Sequence, residues 1–170
     1  MSKQASASTA LEAHMKALES EDGMLRQSAR EALVNLGAAA VTPLARALEN
    51  AKSQQVRWES AKALGAMGQA RAIPALVAAL EDSDSDVIWL AAEALNGFGK
   101  EAWPALLKAL VAEGTESVIL RKGAHHVFAN QPESSGDGVL APLQVALEPG
   151  ALPETAPMAA QELLRQLSAQ

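Results

Sequence analysis

A thirteen-residue pattern recurs along the chain and constrains its fold more than any other feature. Each copy opens on an apolar residue followed by Arg or Ile, and three copies, at 25–37, 56–68 and 87–99, end on glycine. These three start 31 residues apart, and a fourth copy starts 33 residues later at Leu120, with Pro132 in place of the final glycine. A repeat of this length is typical of a solenoid, in which each unit buries its apolar face only against its neighbours.

The spacing inside the pattern predicts one amphipathic helix per copy. When the pattern is numbered from 1 to 13, apolar or small residues stand at positions 1, 5, 8, 9 and 12. Spacings of three and four place these positions on one stripe of a helix, here called the first helix of the repeat. The glycine at position 13 is expected to end that helix.

A second helix is predicted after each of these stops, with a proline near its start, where the missing N–H costs least. The prolines are Pro43, Pro74, Pro104 and Pro142, and the apolar stripes are Val41-Leu44-Leu48, Ile73-Leu76-Leu80, Trp103-Leu106-Leu110 and Leu140-Leu143-Leu147. Acidic turns such as Glu81–Asp86 are expected to be solvated and to cap the next first helix.

These elements predict a single all-α domain over residues 9–168, built as a right-handed α-solenoid of about ten antiparallel helices. Residues 1–8 are expected to form a disordered tail. Repeats are expected over 24–50, 55–81, 86–111 and 119–148, the last with a mobile loop at 131–138. Half repeats at 9–20 and 154–168 are expected to close the ends, the former as a lone second helix and the latter as a first helix.

The composition excludes several classes of protein. A net charge of -6 argues against nucleic acid as a partner, because phosphate binding needs a basic face. The absence of cysteine excludes disulfides, thiolate metal sites and thiol nucleophiles. No apolar run approaches the length of a membrane span, and the N-terminus lacks the apolar core of a signal peptide. A cytoplasmic protein, and a monomer, is expected.

The segment 56–82, VRWESAKALGAMGQARAIPALVAALED, resembles HEAT-like repeats of the phycobilisome-lyase type. Those repeats show V-R-x-x-A-A-x-A-L-G-x-I-G, followed by R-A-I-P-x-L-x-x-A-L. The resemblance covers roughly residues 11–167 and implies an armadillo- or HEAT-like fold, but no single function. Members of this family include bilin lyase subunits, deoxyhypusine hydroxylase and many scaffold or assembly proteins.

The resemblance also implies which face of the array to examine. In the related hydroxylase, His-Glu pairs at positions 3 and 4 of the first helix line the concave face and hold iron. The chain has no His-Glu pair there, so neither a di-iron site nor hydroxylase chemistry is expected. Positions 3 and 4 read Gln27-Ser28, Trp58-Glu59, Trp89-Leu90 and Lys122-Gly123, and position 7 reads Glu31, Lys62, Glu93 and His126.

Two tryptophans stand at position 3 of adjacent repeats, away from the core stripe. Trp58 and Trp89 either cover the neighbouring first helix as packing alone or also contact a partner, as tryptophans at interfaces do. The charged residues near them either form a polar rim or pair with one another across helices. The candidate partner-binding residues are Gln27, Trp58, Glu59, Lys62, Trp89, Glu93, Lys122 and His126.

Other polar residues favour structural roles. The arginines at position 2 are expected to tie each first helix to an acidic turn. They are Arg26, Arg57 and Arg121, with Asp22, Asp84 and Asp86 as candidate partners. His125 and His126 are adjacent, but neighbouring residues on a helix do not face one another and a third ligand is lacking, so no metal and no cofactor is expected.

The leading hypothesis is a non-enzymatic interaction or scaffold module that binds a protein or peptide on its concave face. No P-loop, dinucleotide-binding glycine pattern or catalytic triad argues for an enzyme. The alternative, which rests on the resemblance, is an accessory subunit of a phycobilin-type chromophore lyase, with Glu59 contacting pyrrole nitrogens. A helical-repeat DNA glycosylase is a third hypothesis, which the acidic charge disfavours.

Overall fold

Two layers of antiparallel helices make up the computed structural model, which describes residues 2–129, 131 and 138–169. Within those residues there are ten α-helices and no strand. The α-solenoid predicted from the repeat is confirmed. The helices are α1 (Ser2–Ala17), α2 (Gly23–Asn35), α3 (Ala38–Asn50), α4 (Gln54–Met67), α5 (Ile73–Ala78), α6 (Ser85–Phe98), α7 (Trp103–Glu113), α8 (Val118–Ala129), α9 (Ala141–Leu147) and α10 (Thr155–Ser168).

The first helices of the four repeats are α2, α4, α6 and α8, and each begins two residues before the start of its copy of the pattern. Side chains of Asp22, Ser53 and Asp84 accept hydrogen bonds from backbone N–H groups in the first turns of α2, α4 and α6. These bonds satisfy donors that a helix start leaves open. Glycines with positive φ, at 61°, 57° and 55°, follow the same three helices at positions 37, 68 and 99, a backbone region that costs glycine least.

The prolines of the second helices follow the prediction in three repeats out of four. Pro74, Pro104 and Pro142 lie in the first two positions of α5, α7 and α9. Pro43 instead lies inside α3, which begins at Ala38, so its predicted place near the helix start is wrong. The three alanines at 38–40 are strong helix formers and extend the helix towards Gly37. In repeats two and three a short 3-10 turn occupies this place.

The predicted stripe of positions 1, 5, 8, 9 and 12 packs into the core between the two layers, but position 12 is only partly buried in the first three repeats, at Leu36, Met67 and Phe98. In the second repeat Val56, Ser60, Ala63 and Leu64 are all buried. Leu25, the equivalent of Val56 in the first repeat, is 50% exposed. Among the described residues no first helix precedes α2, and the side of α2 where such a helix would pack is exposed at Leu25.

At the N-terminal end, α1 acts as the lone second helix that the sequence predicts, because it packs against α2 and α3. The prediction that residues 1–8 are a disordered tail differs from the structure, in which α1 begins at Ser2. Alanine, glutamine and lysine in this segment favour a helix, and no glycine or proline interrupts it.

At the C-terminal end, the apolar stripe of α10 is as predicted but its neighbour is not. Ala156, Ala160 and Leu163 are buried, yet α10 packs mainly against α7 and α9. A further first helix would have packed against α8. The prediction that 154–168 closes the array as a first helix is therefore wrong, because one apolar stripe fits either layer.

The predicted loop at 131–138 lies mostly outside the described residues, but its first residue is described. Gln131 is 8% exposed, and its amide Nε2 lies 3.4 Å from the carbonyl oxygens of Asn96 and Val127. Gln131 is therefore packed against the end of α6, so the prediction of a mobile loop is wrong for this residue.

Candidate functional site

The first-helix layer carries the predicted site, and its helices lie close together. They pack against one another more extensively than the second helices do. A Cβ added at Gly65 of α4 would lie 3.0 Å from the Cβ of Ala94 in α6, so the two helices approach closely where α4 has no side chain. The residues at positions 3 and 7 of the four first helices are all exposed or half-buried.

Trp58, on α4, is half-buried and packs against the core cluster. The exposed Lys62, one turn further along, places its Nζ 4.5 Å from the centroid of the Trp58 ring. Such a cation over an aromatic face is worth about 0.5–1 kcal/mol at an exposed site. The packing interpretation of Trp58 is therefore supported, and Lys62 covers part of the ring face that the core leaves exposed.

Trp89 occupies the equivalent position on α6 but is 53% exposed. Its ring lies 6.3 Å from the imidazole of His126 on α8, tilted by 48°. His126 Nε2 lies 3.2 Å from the carboxylate Oε1 of Glu93. The position-7 residue near Trp89 is thus Glu93, which contacts α8, whereas the position-7 residue near Trp58 is Lys62, which lies over the Trp58 ring.

Glu59 is 3% exposed, so its predicted place in an exposed polar rim is wrong. Its carboxylate accepts hydrogen bonds from Arg30 Nη1 at 2.5 Å and from Arg26 Nε at 3.4 Å. Both arginines belong to α2, and their side chains are only 14% and 19% exposed. Two guanidinium groups compensate the desolvation of one buried carboxylate, which explains why an acid is tolerated here.

Two grooves run along α4 on this face and share Lys62 as a lining residue. One has a volume of about 460 Å³, with polar side chains from α2, α4 and the start of α6. The other has a volume of about 410 Å³ between α4 and α6, lined largely by small residues such as Gly65, Ala94 and Gly97. Gln27 lies in the first groove, and its amide Nε2 donates to Glu31 Oε1 at 2.9 Å.

The structure therefore brings together most of the predicted site, but in two groups. The polar groove is lined by Gln27, Trp58, Glu59 and Lys62. Trp89, Glu93 and His126 form a contact between α6 and α8. Lys122 belongs to neither group, because it lines a separate groove between α8 and the turn after α9. Sequence reasoning missed Arg30, although its place one turn after Arg26 was a signal for a paired basic site.

The arginines at position 2 hold the preceding turn mainly through its backbone. Nη1 of Arg26, Arg57 and Arg121 donates in each case to two carbonyl oxygens before its own helix. The predicted acidic partners Asp22, Asp84 and Asp86 are wrong, because Asp22 and Asp84 cap helices and Arg57 pairs with Asp82 instead.

Arg57 and Asp82 form a two-pronged ion pair, with Nε and Nη2 donating to the carboxylate at 2.7 Å and 2.9 Å. Burial alone would raise the pKa of Asp82. Hydrogen bonds from Arg57 and from the Asp84 backbone N–H outweigh it, so the pKa of Asp82 lies below its usual value. The hydrogen bonds to Asp82 in turn raise the pKa of Arg57.

The adjacent histidines face different partners, as expected for neighbours on a helix. His125 Nε2 lies 3.8 Å from Glu148, while His126 contacts Glu93. In the described part of the chain, no three His, Asp or Glu side chains are grouped as metal ligands. Nor does any described helix combine the length and apolar character needed to cross a membrane.

Comparison with solved structures finds several similar chains. One is the complex of CpcE and CpcF of phycocyanin lyase from Nostoc sp. PCC7120, 27% identical with a TM-score of 0.48, which matches 94% of this chain and 65% of that chain. Two are engineered proteins, 25% and 24% identical, with TM-scores of 0.46 and 0.43. They match 94% and 99% of this chain and 79% and 85% of their own.

The comparison with family models identifies the repeat. A search of curated proteins finds no match. A family model of HEAT repeats matches residues 41–125, which is half of the chain, and the matched segment holds α4 and α6 with their second helices. The HEAT-like character inferred from the repeat is confirmed, and the chain belongs to the HEAT repeat family.

Proposed function

We propose that this chain is a non-enzymatic interaction module that binds a protein or peptide on the surface of its first-helix layer. The observation that carries the proposal is Trp89, a large aromatic side chain that is 53% exposed on that surface. A tryptophan left half in solvent by its own fold has apolar area available for a partner, and tryptophans dominate interface energetics.

The polar groups near Trp89 support the same function. Glu93 and His126 are already paired with one another at 3.2 Å, and Gln27 is held by Glu31 at 2.9 Å. Polar side chains that are satisfied before binding lose less when a partner excludes water from them. They suit the rim of an interface whose centre is aromatic.

The centre of the proposed interface extends from Trp89 to Trp58. The polar groove and the small-residue groove along α4 provide concave space beside the tryptophans. Lys62 lines both grooves and can move off the Trp58 ring to admit a ligand. We place Gln27, Lys62, Glu93 and His126 at the rim. Glu59 is assigned to holding α2 and α4 together.

The proposal is tested by selecting peptides from a displayed random library on the wild-type protein and measuring their affinities for variants. Replacing both Trp58 and Trp89 by alanine should weaken binding by about 2 kcal/mol or more, which is about thirtyfold. Met158→Ala is the matched control, because Met158 is 70% exposed on α10, outside the first-helix layer. It should bind as the wild type does.

Helicity measured by circular dichroism should be nearly unchanged in all three proteins. If every selected peptide binds the double variant as tightly as the wild type, the first-helix surface is not the binding face.

The lyase-subunit alternative is tested separately by titrating a bilin and recording its visible spectrum. A spectral change abolished by the two substitutions would favour that alternative over peptide binding.

A further inference from the structure

The first-helix layer stops at α8, and the structure leaves the next place in that layer unfilled by any described residue. α10, the only described helix that follows α9, packs mainly against α7 and α9. A groove of about 290 Å³ lies at the open side of α8, between that helix and residues 147–151. It is where a further first helix would dock.

The side of α8 that lines this groove carries basic residues at the same two positions as the side of α2 that packs against α4. Arg26 and Arg30 of α2, at positions 2 and 6, correspond to Arg121 and His125 of α8. Both of these α8 residues line the groove. In the first repeat this arrangement has an occupant, because Glu59 from α4 lies between the two arginines.

The anchoring of Arg121 matches that of Arg26 and Arg57, the other arginines at position 2, which each bind a carboxylate. Its Nη1 donates to the carbonyl oxygens of Gly114 and Thr115 at 2.5 Å and 2.9 Å, as Nη1 of Arg26 and Arg57 does in their own repeats. In those repeats Nε then meets an acid, Glu59 or Asp82. Among the described residues, Arg121 Nε has no carboxylate.

The rest of the groove combines positive charge with apolar area. Lys122 adds a second cation beside Arg121, and Val118, Leu147 and Pro149 contribute apolar lining. Val118 is 50% exposed. Glu148 is the acid that lines the groove, 63% exposed and 3.8 Å from His125, so it does not occupy the place that Glu59 holds in the first repeat.

We propose that this groove, the end groove, is a second docking site, and that it takes a helix from a partner protein that carries a glutamate or aspartate. The carboxylate lies between Arg121 and His125 as Glu59 lies between Arg26 and Arg30, and apolar residues of the partner cover Val118. The helix continues the first-helix layer by one member.

A second copy of this chain does not fit the site. If α2 of another copy docked on α8 as α4 docks on α2, position 4 would face the two basic residues. That position in α2 is Ser28, which has no carboxylate. The repeat geometry therefore points to a different protein and not to a head-to-tail chain of identical subunits.

The experiment uses a fluorescein-labelled peptide with the sequence of α4, residues 54–67, and its affinity for the full chain by fluorescence anisotropy. The peptide carries Glu59 at the required position, and a second peptide carries Glu59→Gln. The wild-type protein should bind the first peptide about tenfold more tightly than the second, the effect of one charge-assisted hydrogen bond. Equal affinities, or no binding of the first peptide, overturn the proposal.

Variants of the protein locate the site. Arg121→Gln should remove the preference for the glutamate peptide, whereas Lys108→Gln, which removes the same charge from the exposed surface of α7, should keep it. His125→Gln is a second test, because His125 does not hold the preceding turn as Arg121 does. If His125→Gln and Lys108→Gln both retain the full preference, the carboxylate does not bind at α8. Replacing Trp58 and Trp89 by alanine should change nothing here, which separates this site from the proposed tryptophan interface.

Discussion

At the scale of single residues, charges placed between neighbouring repeats hold the array together. Glu59→Gln would leave Arg26 and Arg30 without their shared acid. Because the two arginines keep partial contact with water, we expect a loss of about 2–3 kcal/mol in the free energy of unfolding, less than for a fully buried pair. Urea unfolding measures this loss. Glu93→Gln, a change of the same kind at an exposed pair, should cost less than about 1 kcal/mol, and an equal cost for both would contradict the role given to Glu59.

The ion pair between Arg57 and Asp82 predicts a pH dependence. The pKa of Asp82 is lowered in the folded protein, so the carboxylate stabilises the fold above the ordinary pKa of aspartate. That contribution is lost as the pH falls through the lowered value. The stability difference between the wild type and Asp82→Asn should therefore be constant near neutral pH and shrink in acid, as followed by urea unfolding at several pH values. A difference that grows in acid would show that the sign is wrong.

At the scale of helices, the contact between α4 and α6 depends on one glycine. Gly65→Ala places a Cβ 3.0 Å from that of Ala94, a rigid neighbour, so we expect a loss of about 1 kcal/mol or more although alanine favours helices. Gly97 in α6 has nothing within 4 Å of an added Cβ, and Gly97→Ala should stabilise by about 0.5–1 kcal/mol. Thermal unfolding compares the two. The same sign for both variants would mean that close approach does not govern this contact.

How far the sequence predicts each element depends on whether the cause is local. Helix caps such as Asp84 and stops such as Gly68 depend on a few adjacent residues, and they were predicted correctly. The placement of α10 was not, because the stripe of Ala156, Ala160 and Leu163 shows that a face is buried without showing which helix buries it. The burial of Glu59 was missed for a similar reason, since it depends on two arginines from another repeat.

At the scale of the molecule, a solenoid transmits stability only from repeat to repeat. Leu163→Ala, in the core of α10, should cost about 2–4 kcal/mol locally. It should raise amide hydrogen exchange in α7, α9 and α10 while leaving α2 and α4 nearly unchanged. Leu64→Ala, in the middle of the array, should raise exchange in the repeats on both sides. Uniform loss of protection in both variants would contradict a chain of neighbour contacts.

The face of the candidate site was chosen from the resemblance to HEAT-like repeats, which does not indicate that its residues divide into two groups. Trp58 and Trp89 are equivalent in sequence, yet one is half-buried and the other largely exposed. Trp58 packs against the core cluster. The two sites also differ at position 7, where Lys62 lies over the Trp58 ring and Glu93 contacts His126. A cation is attracted to an aromatic face and an anion is not, so the chemistry was visible, but the contact with α8 needed the structure.

The three tryptophans can report directly on whether a partner binds the first-helix surface. With 5-fluorotryptophan incorporated, fluorine NMR resolves Trp58 and Trp89 on the first-helix surface and Trp103, which is 1% exposed between the layers. Addition of a peptide selected on the wild-type protein should shift the Trp89 and Trp58 signals and leave Trp103 in place as an internal reference. A bound peptide that leaves both surface signals unmoved would contradict the claim that the first-helix surface is where this protein binds its partner.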